Sequence, residues 1–128
     1  MVKKLLPLFF LLCLLTGCED IFEVTDISNE QVQLLAPTNQ SVVMDSIVNF
    51  NWNGVEEADA YLIQVATPDF ENAIQIVLDT VVSIDSTFVG NRISKQLPDN
   101  TYQWRVQAQN SAFSTAFSTN GFTVQKTN

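Results

Sequence analysis

The chain has 128 residues, with 14 acidic and 6 basic side chains and a formal charge of −8. An acid excess of this size repels nucleic acid and anionic lipid headgroups, so neither is an expected partner. The sequence contains no histidine, which removes the commonest general base and the commonest transition-metal ligand.

Taken from the start, Met1-Val2-Lys3-Lys4 is followed by an almost wholly apolar run over residues 5–15 and then Thr16-Gly17. A positive start, a short apolar middle and small residues at the cut make up a secretory signal. The run falls well short of the ~20 apolar residues that a spanning helix needs. Leu15-Thr16-Gly17-Cys18 resembles the lipobox of bacterial lipoproteins. That resemblance implies cleavage after residue 17 and acylation of Cys18, which labelled palmitate would report, with a lipid anchor in the membrane. Cys13 would leave with the signal, so the mature chain would keep no free thiol and no disulfide. Its core must then hold by burial alone. Glu19 and Asp20, with Glu23 and Asp26 behind them, resemble the acidic export tract of surface lipoproteins in some Gram-negative bacteria. This implies an outer-membrane protein displayed at the cell surface. The same acids also suit an ordinary solvated tether. After the cut, four cations, Arg92, Lys95, Arg105 and Lys126, face all fourteen acids.

Residues 18–30 are acidic and without steady periodicity, and are expected to be a tether. From Gln31 the pattern changes to period two, the mark of half-buried strands. Val48, Phe50 and Trp52 alternate with Asn49, Asn51 and Asn53. Tyr61, Ile63 and Val65 repeat the pattern, Ile74, Ile76 and Leu78 are expected to do so again, and Tyr102, Trp104, Val106 and Ala108 alternate with Gln103, Arg105, Gln107 and Gln109. Phe122 and Val124 close the series. Turn signals separate the runs at Ala36-Pro37-Thr38-Asn39, Asn53-Gly54, Thr67-Pro68-Asp69, Gly90-Asn91, Leu97-Pro98-Asp99-Asn100 and Asn120-Gly121. About seven short antiparallel strands joined by such turns predict an all-β, immunoglobulin-like sandwich.

Leu34-Leu35-Ala36-Pro37, Phe50-Asn51-Trp52, residues 58–65 and the run Leu97-Pro98-Asp99-Asn100-Thr101-Tyr102-Gln103-Trp104-Arg105-Val106-Gln107-Ala108 resemble a fibronectin type III domain over residues 31–125. Residues 126–128 are left as a tail. The resemblance implies that Trp52 and Tyr61 lie in the core, and that Tyr102 forms a tyrosine corner, its hydroxyl bonded back to the turn before it. Here the leucine stands five residues before the tyrosine, where many members have six. Parity alone puts Trp52, Tyr61, Tyr102 and Trp104 inward, each burying ~150–250 Å².

Catalysis is not expected. Glu56, Glu57, Asp59, Asp79, Asp85 and Asp99 fall in turns or on outward parities, unlike the paired acids of a glycosidase cleft. The serines have neither a histidine nor a Gly-x-Ser-x-Gly elbow. No calcium-loop spacing and no Gly-rich phosphate loop occur, so no metal and no cofactor are expected. Asp45-Ser46-Ile47, Asp79-Thr80-Val81 and Asp85-Ser86-Thr87 resemble the O-glycosylation acceptor triplet of some Gram-negative bacteria, which makes Ser46, Thr80 and Ser86 candidates. Phe113 and Phe117 stand among serines and threonines before the last strand. They are either folded back onto the core or kept for a partner. The expected function is an envelope-anchored binding or adaptor lipoprotein contacting a protein or glycan. The alternative is a structural spacer or stabilising subunit of an outer-membrane assembly, without a ligand of its own.

Overall fold

The computed structural model describes residues 23–85 and 90–126. The signal segment, Cys18, Glu19, Asp20 and Ser86 lie outside the described residues. Eight strands run in chain order: β1 (Leu34–Ala36), β2 (Ser41–Val43), β3 (Ile47–Trp52), β4 (Ala60–Thr67), β5 (Gln75–Ser83), β6 (Arg92–Gln96), β7 (Asn100–Gln109) and β8 (Ser118–Val124). They form a three-stranded sheet, β1-β3-β6, and a five-stranded sheet, β2-β8-β7-β4-β5. This is an immunoglobulin-like β-sandwich.

Alternation builds the two inner walls. β3 turns Val48, Phe50 and Trp52 inward, β4 turns Tyr61, Ile63 and Val65 inward, and β7 turns Tyr102, Trp104, Val106 and Ala108 inward. Phe122 and Val124 of β8 join them. The rings tie the sheets together: Phe50 lies 5.1 Å from Trp104 and 5.7 Å from Phe122, and Trp52 lies 5.5 Å from Tyr61. Such tilted and edge contacts add to what burial alone contributes.

Three sequence expectations are corrected. The first concerns strand direction, since β2 runs parallel to β8, Ser41 facing Phe122 and Val43 facing Val124. The strand that opens the domain is broken at Pro37, whose carbonyl accepts from Trp104 Nε1 at 3.1 Å and from Asn120 Nδ2 at 3.3 Å. Gln40, in the left-handed region at φ 65°, then turns the chain onto the second sheet, with its N–H bonded to the Gly121 carbonyl at 2.6 Å. The second concerns β5. Val65 faces Leu78 but Ala66 faces Ile76, so Val77 is an extra residue, a bulge that reverses parity. Leu78 packs inward, while Ile74 and Ile76 are 86% and 47% exposed. The third concerns the tether. Ile27 is 1% exposed within the core, and Asn110 Nδ2 holds the Thr25 carbonyl at 2.8 Å. The packed unit therefore begins before residue 31.

The tyrosine corner is present: Tyr102 donates its hydroxyl proton to the Pro98 carbonyl at 2.6 Å, beside buried Leu97. Tyr102→Phe removes this bond alone and should lower stability by about 0.5–1.5 kcal/mol in urea denaturation. Burial, and then the charge of Asp99, push the phenol above its ordinary value of 10.0. The folded state thus holds the proton more tightly than the unfolded chain does. That contribution is whole below the ordinary value and is lost as pH rises through the raised one. Tyr102→Phe should accordingly flatten the alkaline end of the stability profile.

Candidate functional site

The outer face of the five-stranded sheet carries polar and cationic side chains in register. Asp79 of β5 faces Gln64 of β4, Gln64 faces Arg105 of β7, and Arg105 faces Thr119 of β8. Side-chain bonds follow the register. Arg105 Nε donates to Gln64 Oε1 at 2.8 Å, and Gln64 Nε2 donates to Asp79 Oδ1 at 3.2 Å. Asp79 therefore fixes which way the Gln64 amide points, and that amide fixes the guanidinium.

Two rings bracket the same guanidinium. The Arg105 Cζ lies 4.0 Å from the Phe70 ring centroid and 4.3 Å from that of Phe117. Phe70 comes from the β4–β5 connection, where its N–H donates to Gln103 Oε1 at 3.0 Å and Asn72 N–H closes on Asp69 Oδ1 at 2.7 Å. Phe117 directly precedes β8, and its approach is set by Thr115. Thr115 Oγ1 accepts from the Ala108 N–H at 3.1 Å, and the Thr115 carbonyl accepts from Gln107 Nε2 at 3.0 Å. Among the described residues no carboxylate lies within ion-pair distance of Arg105, whereas Lys126 and Asp99 approach to 4.0 Å. A flat cation held between rings and aimed by an amide is prepared for an acceptor from outside, because its terminal N–H groups lose little freedom on binding.

The structure separates the two candidate phenylalanines. Phe113 packs against the core, its N–H bonded to Asn110 Oδ1 at 2.8 Å, so it leaves the candidate surface. Phe117 stays on the outer face. Trp52, Tyr61, Tyr102 and Trp104 are all buried. Of the glycosylation candidates, Ser46 is half-buried in the β2–β3 turn, and Thr80 is half-buried in mid-strand opposite Ile63. The acids do not assemble into a cleft. Glu56, Glu57 and Asp59 lie in the loop that leads to Ala60, paired with Gln109 at the end of β7, whereas Asp99 lies before its start. Among the described residues no three Cys, Asp or Glu side chains group as metal ligands. Sequence reasoning missed Phe70 and read Arg105 only as an outward residue of an alternating strand. The signal available was its place at the centre of an alternating strand otherwise lined on that face by glutamines.

Neither a family model nor a curated protein matches the chain significantly. Among solved structures, the crystal structure of FN3tt is similar with a TM-score of 0.51 at 13% identity, covering 74% of this chain and 95% of that one. A fibronectin type III domain of human contactin 1 gives 0.48 at 23% identity, covering 88% and 92%. CopC from Methylosinus trichosporium OB3b gives 0.43 at 13% identity, covering 77% and 97%. The first of these likenesses shows the fold, a fibronectin type III-like domain.

Proposed function

We propose that this chain is a non-catalytic binding or adaptor lipoprotein, held to the outer membrane by acylated Cys18 and exposed at the cell surface. The outer face of its five-stranded sheet would contact a protein or glycan of the envelope. The observation that carries the binding role is the Arg105 guanidinium, set between Phe70 and Phe117 with no carboxylate of its own among the described residues. A pure spacer has no use for an oriented cation on a chain this acidic. The address rests on the residues of the signal segment alone, and the fold is compatible with many roles.

Chemical crosslinking in native membranes tests the binding role. Wild type should give discrete crosslinked species that Arg105→Ala with Phe117→Ser removes. The anchor is untouched, and stability should fall by only about 1–2 kcal/mol, the scale of two cation–π contacts. Crosslinks that survive this double substitution unchanged would move the contact elsewhere and favour the spacer.

A further inference from the structure

Among the described residues β5 is an edge of the five-stranded sheet, paired with β4 on one side. An unpaired edge offers a row of backbone donors and acceptors to any extended chain, and proteins usually blunt it with Pro, Lys or a bulge. β5, Gln75-Ile76-Val77-Leu78-Asp79-Thr80-Val81-Val82-Ser83, has no Pro, Lys or Gly. Its bulge at Val77 is confined to the beginning, and residues 78–83 pair regularly with β4 through to Ala60. Val81 is 52% exposed on the outer face.

The single charge on this edge selects what pairs with it. A two-fold antiparallel pairing of two copies centred on Asp79 would place that carboxylate opposite itself, which destabilises a cross-strand pair. Two copies would also bring together two strongly acidic chains. The acidic segment around Glu19 and Asp20 of the same chain is disfavoured for the same reason. A cation opposite Asp79 is favoured, since among the described residues the carboxylate holds the neutral Gln64 amide and no cation. On the inner side the constraint is reversed. A cleft of about 270 Å³ opens between the two sheets there, lined by Gln75, Ile76, Val77, Lys95, Gln96, Leu97 and Pro98. Lys95, which faces the buried Val48 across the β3–β6 pair and lines the cleft, disfavours inward-facing cations in that position.

We propose that β5 recruits an extended segment of a partner protein by antiparallel strand addition. The segment carries Lys or Arg opposite Asp79 and an apolar residue opposite Val81 on the outer face, with uncharged side chains facing the cleft. Main-chain bonds give such a contact its affinity and the alternate side chains its selectivity. The inference rests on the binding-module reading and gives the partner a chemistry.

The probe is an N-acetylated, C-amidated heptapeptide, Ser-Val-Thr-Lys-Thr-Val-Ser, compared with the same peptide carrying Glu in place of Lys. Each is titrated against the full-length ¹⁵N-labelled protein in detergent micelles. The Lys peptide should shift and protect the β5 amides and bind about threefold to tenfold tighter than the Glu peptide. Asp79→Lys should reverse that preference, a result that a merely destabilised edge would not give. Equal binding of both peptides, shifts away from β5, or no binding at millimolar peptide would overturn the inference. So would self-association of the wild-type chain through β5, which would assign the edge to a second copy. If strand pairing fails while the Arg105-dependent crosslink persists, the binding-module reading stands without it; loss of both sinks that reading too.

Discussion

Trp52→Ala is expected to cost about 3–5 kcal/mol, the range for emptying a buried aromatic site. Against an ordinary domain stability of ~5–15 kcal/mol this removes much of the margin. Trp52 ends β3 at 2% exposure, and its ring packs against Tyr61, which in turn accepts the Val55 N–H at 2.7 Å. The cavity would therefore loosen the β3–β4 connection as well as the core. Collapse into the space is resisted, because β3 is pinned by its register with β6 and by the Trp52 N–H bonded to the Asn91 carbonyl at 3.1 Å. The two core tryptophans should respond differently to a smaller change. The Trp52 indole N–H is buried and without a hydrogen-bond partner among the described residues, whereas that of Trp104 donates to Pro37. Trp52→Phe sheds an unsatisfied donor along with some volume, while Trp104→Phe sheds a bond that ties the broken first strand to β7. Urea midpoints should thus rank wild type, Trp52→Phe, Trp104→Phe and Trp52→Ala in falling order. An unmoved midpoint for Trp52→Ala would show that β3 does not face the core through this residue.

What could be read from the chain was whatever depends on local alternation. Phe50, Tyr61, Ile63, Tyr102 and Trp104 announce their burial by standing two apart from other apolar residues, and the structure buries them all. The same rule failed at Ile74 and Ile76, because a one-residue bulge shifts parity without leaving a compositional mark. Pro37 was legible as a turn. Its larger effect, sending the chain from one sheet to the other to run parallel with β8, depends on where β8 lies and not on the residues around the proline. Ile27 was hidden among acids and polar residues, since one apolar position has no period. The candidate site was legible only in part. Phe117 stands out in the sequence as an apolar residue among serines and threonines. Its partner Arg105 and the second ring, Phe70, come together through the register of β4, β7 and β8, which no local pattern encodes.

The early start of packing bears on how the proposed anchor would work. A tether running over residues 18–30 would let the domain stand up to about 40 Å from the lipid, at ~3.3–3.6 Å per residue. Because Ile27 is held in the core, the reach shrinks to about 30 Å. With the proposed anchor, a tether this short would keep the domain close to the bilayer, and acylation of Cys18 would decide whether it stays in the envelope.

Cys18→Ser is accordingly expected to have an all-or-none effect. Acylation requires the thiol, and a hydroxyl in the same position offers no sulfur for the thioether. The variant should incorporate no labelled palmitate and should accumulate as an uncut precursor in the inner membrane or as soluble protein. Cys13→Ser is the internal control, since that residue lies within the apolar run and should leave labelling unchanged. The folded domain is not involved, so the urea midpoint of the released material should match wild type. This separates a failed anchor from a failed fold. Replacing Glu19 and Asp20 with Ala tests the address independently. Labelling should persist while protease added to whole cells no longer removes the protein. Palmitate labelling that survives Cys18→Ser would overturn the lipid anchor, and digestion of the Glu19→Ala, Asp20→Ala variant at the wild-type rate would strip those two acids of any part in surface export.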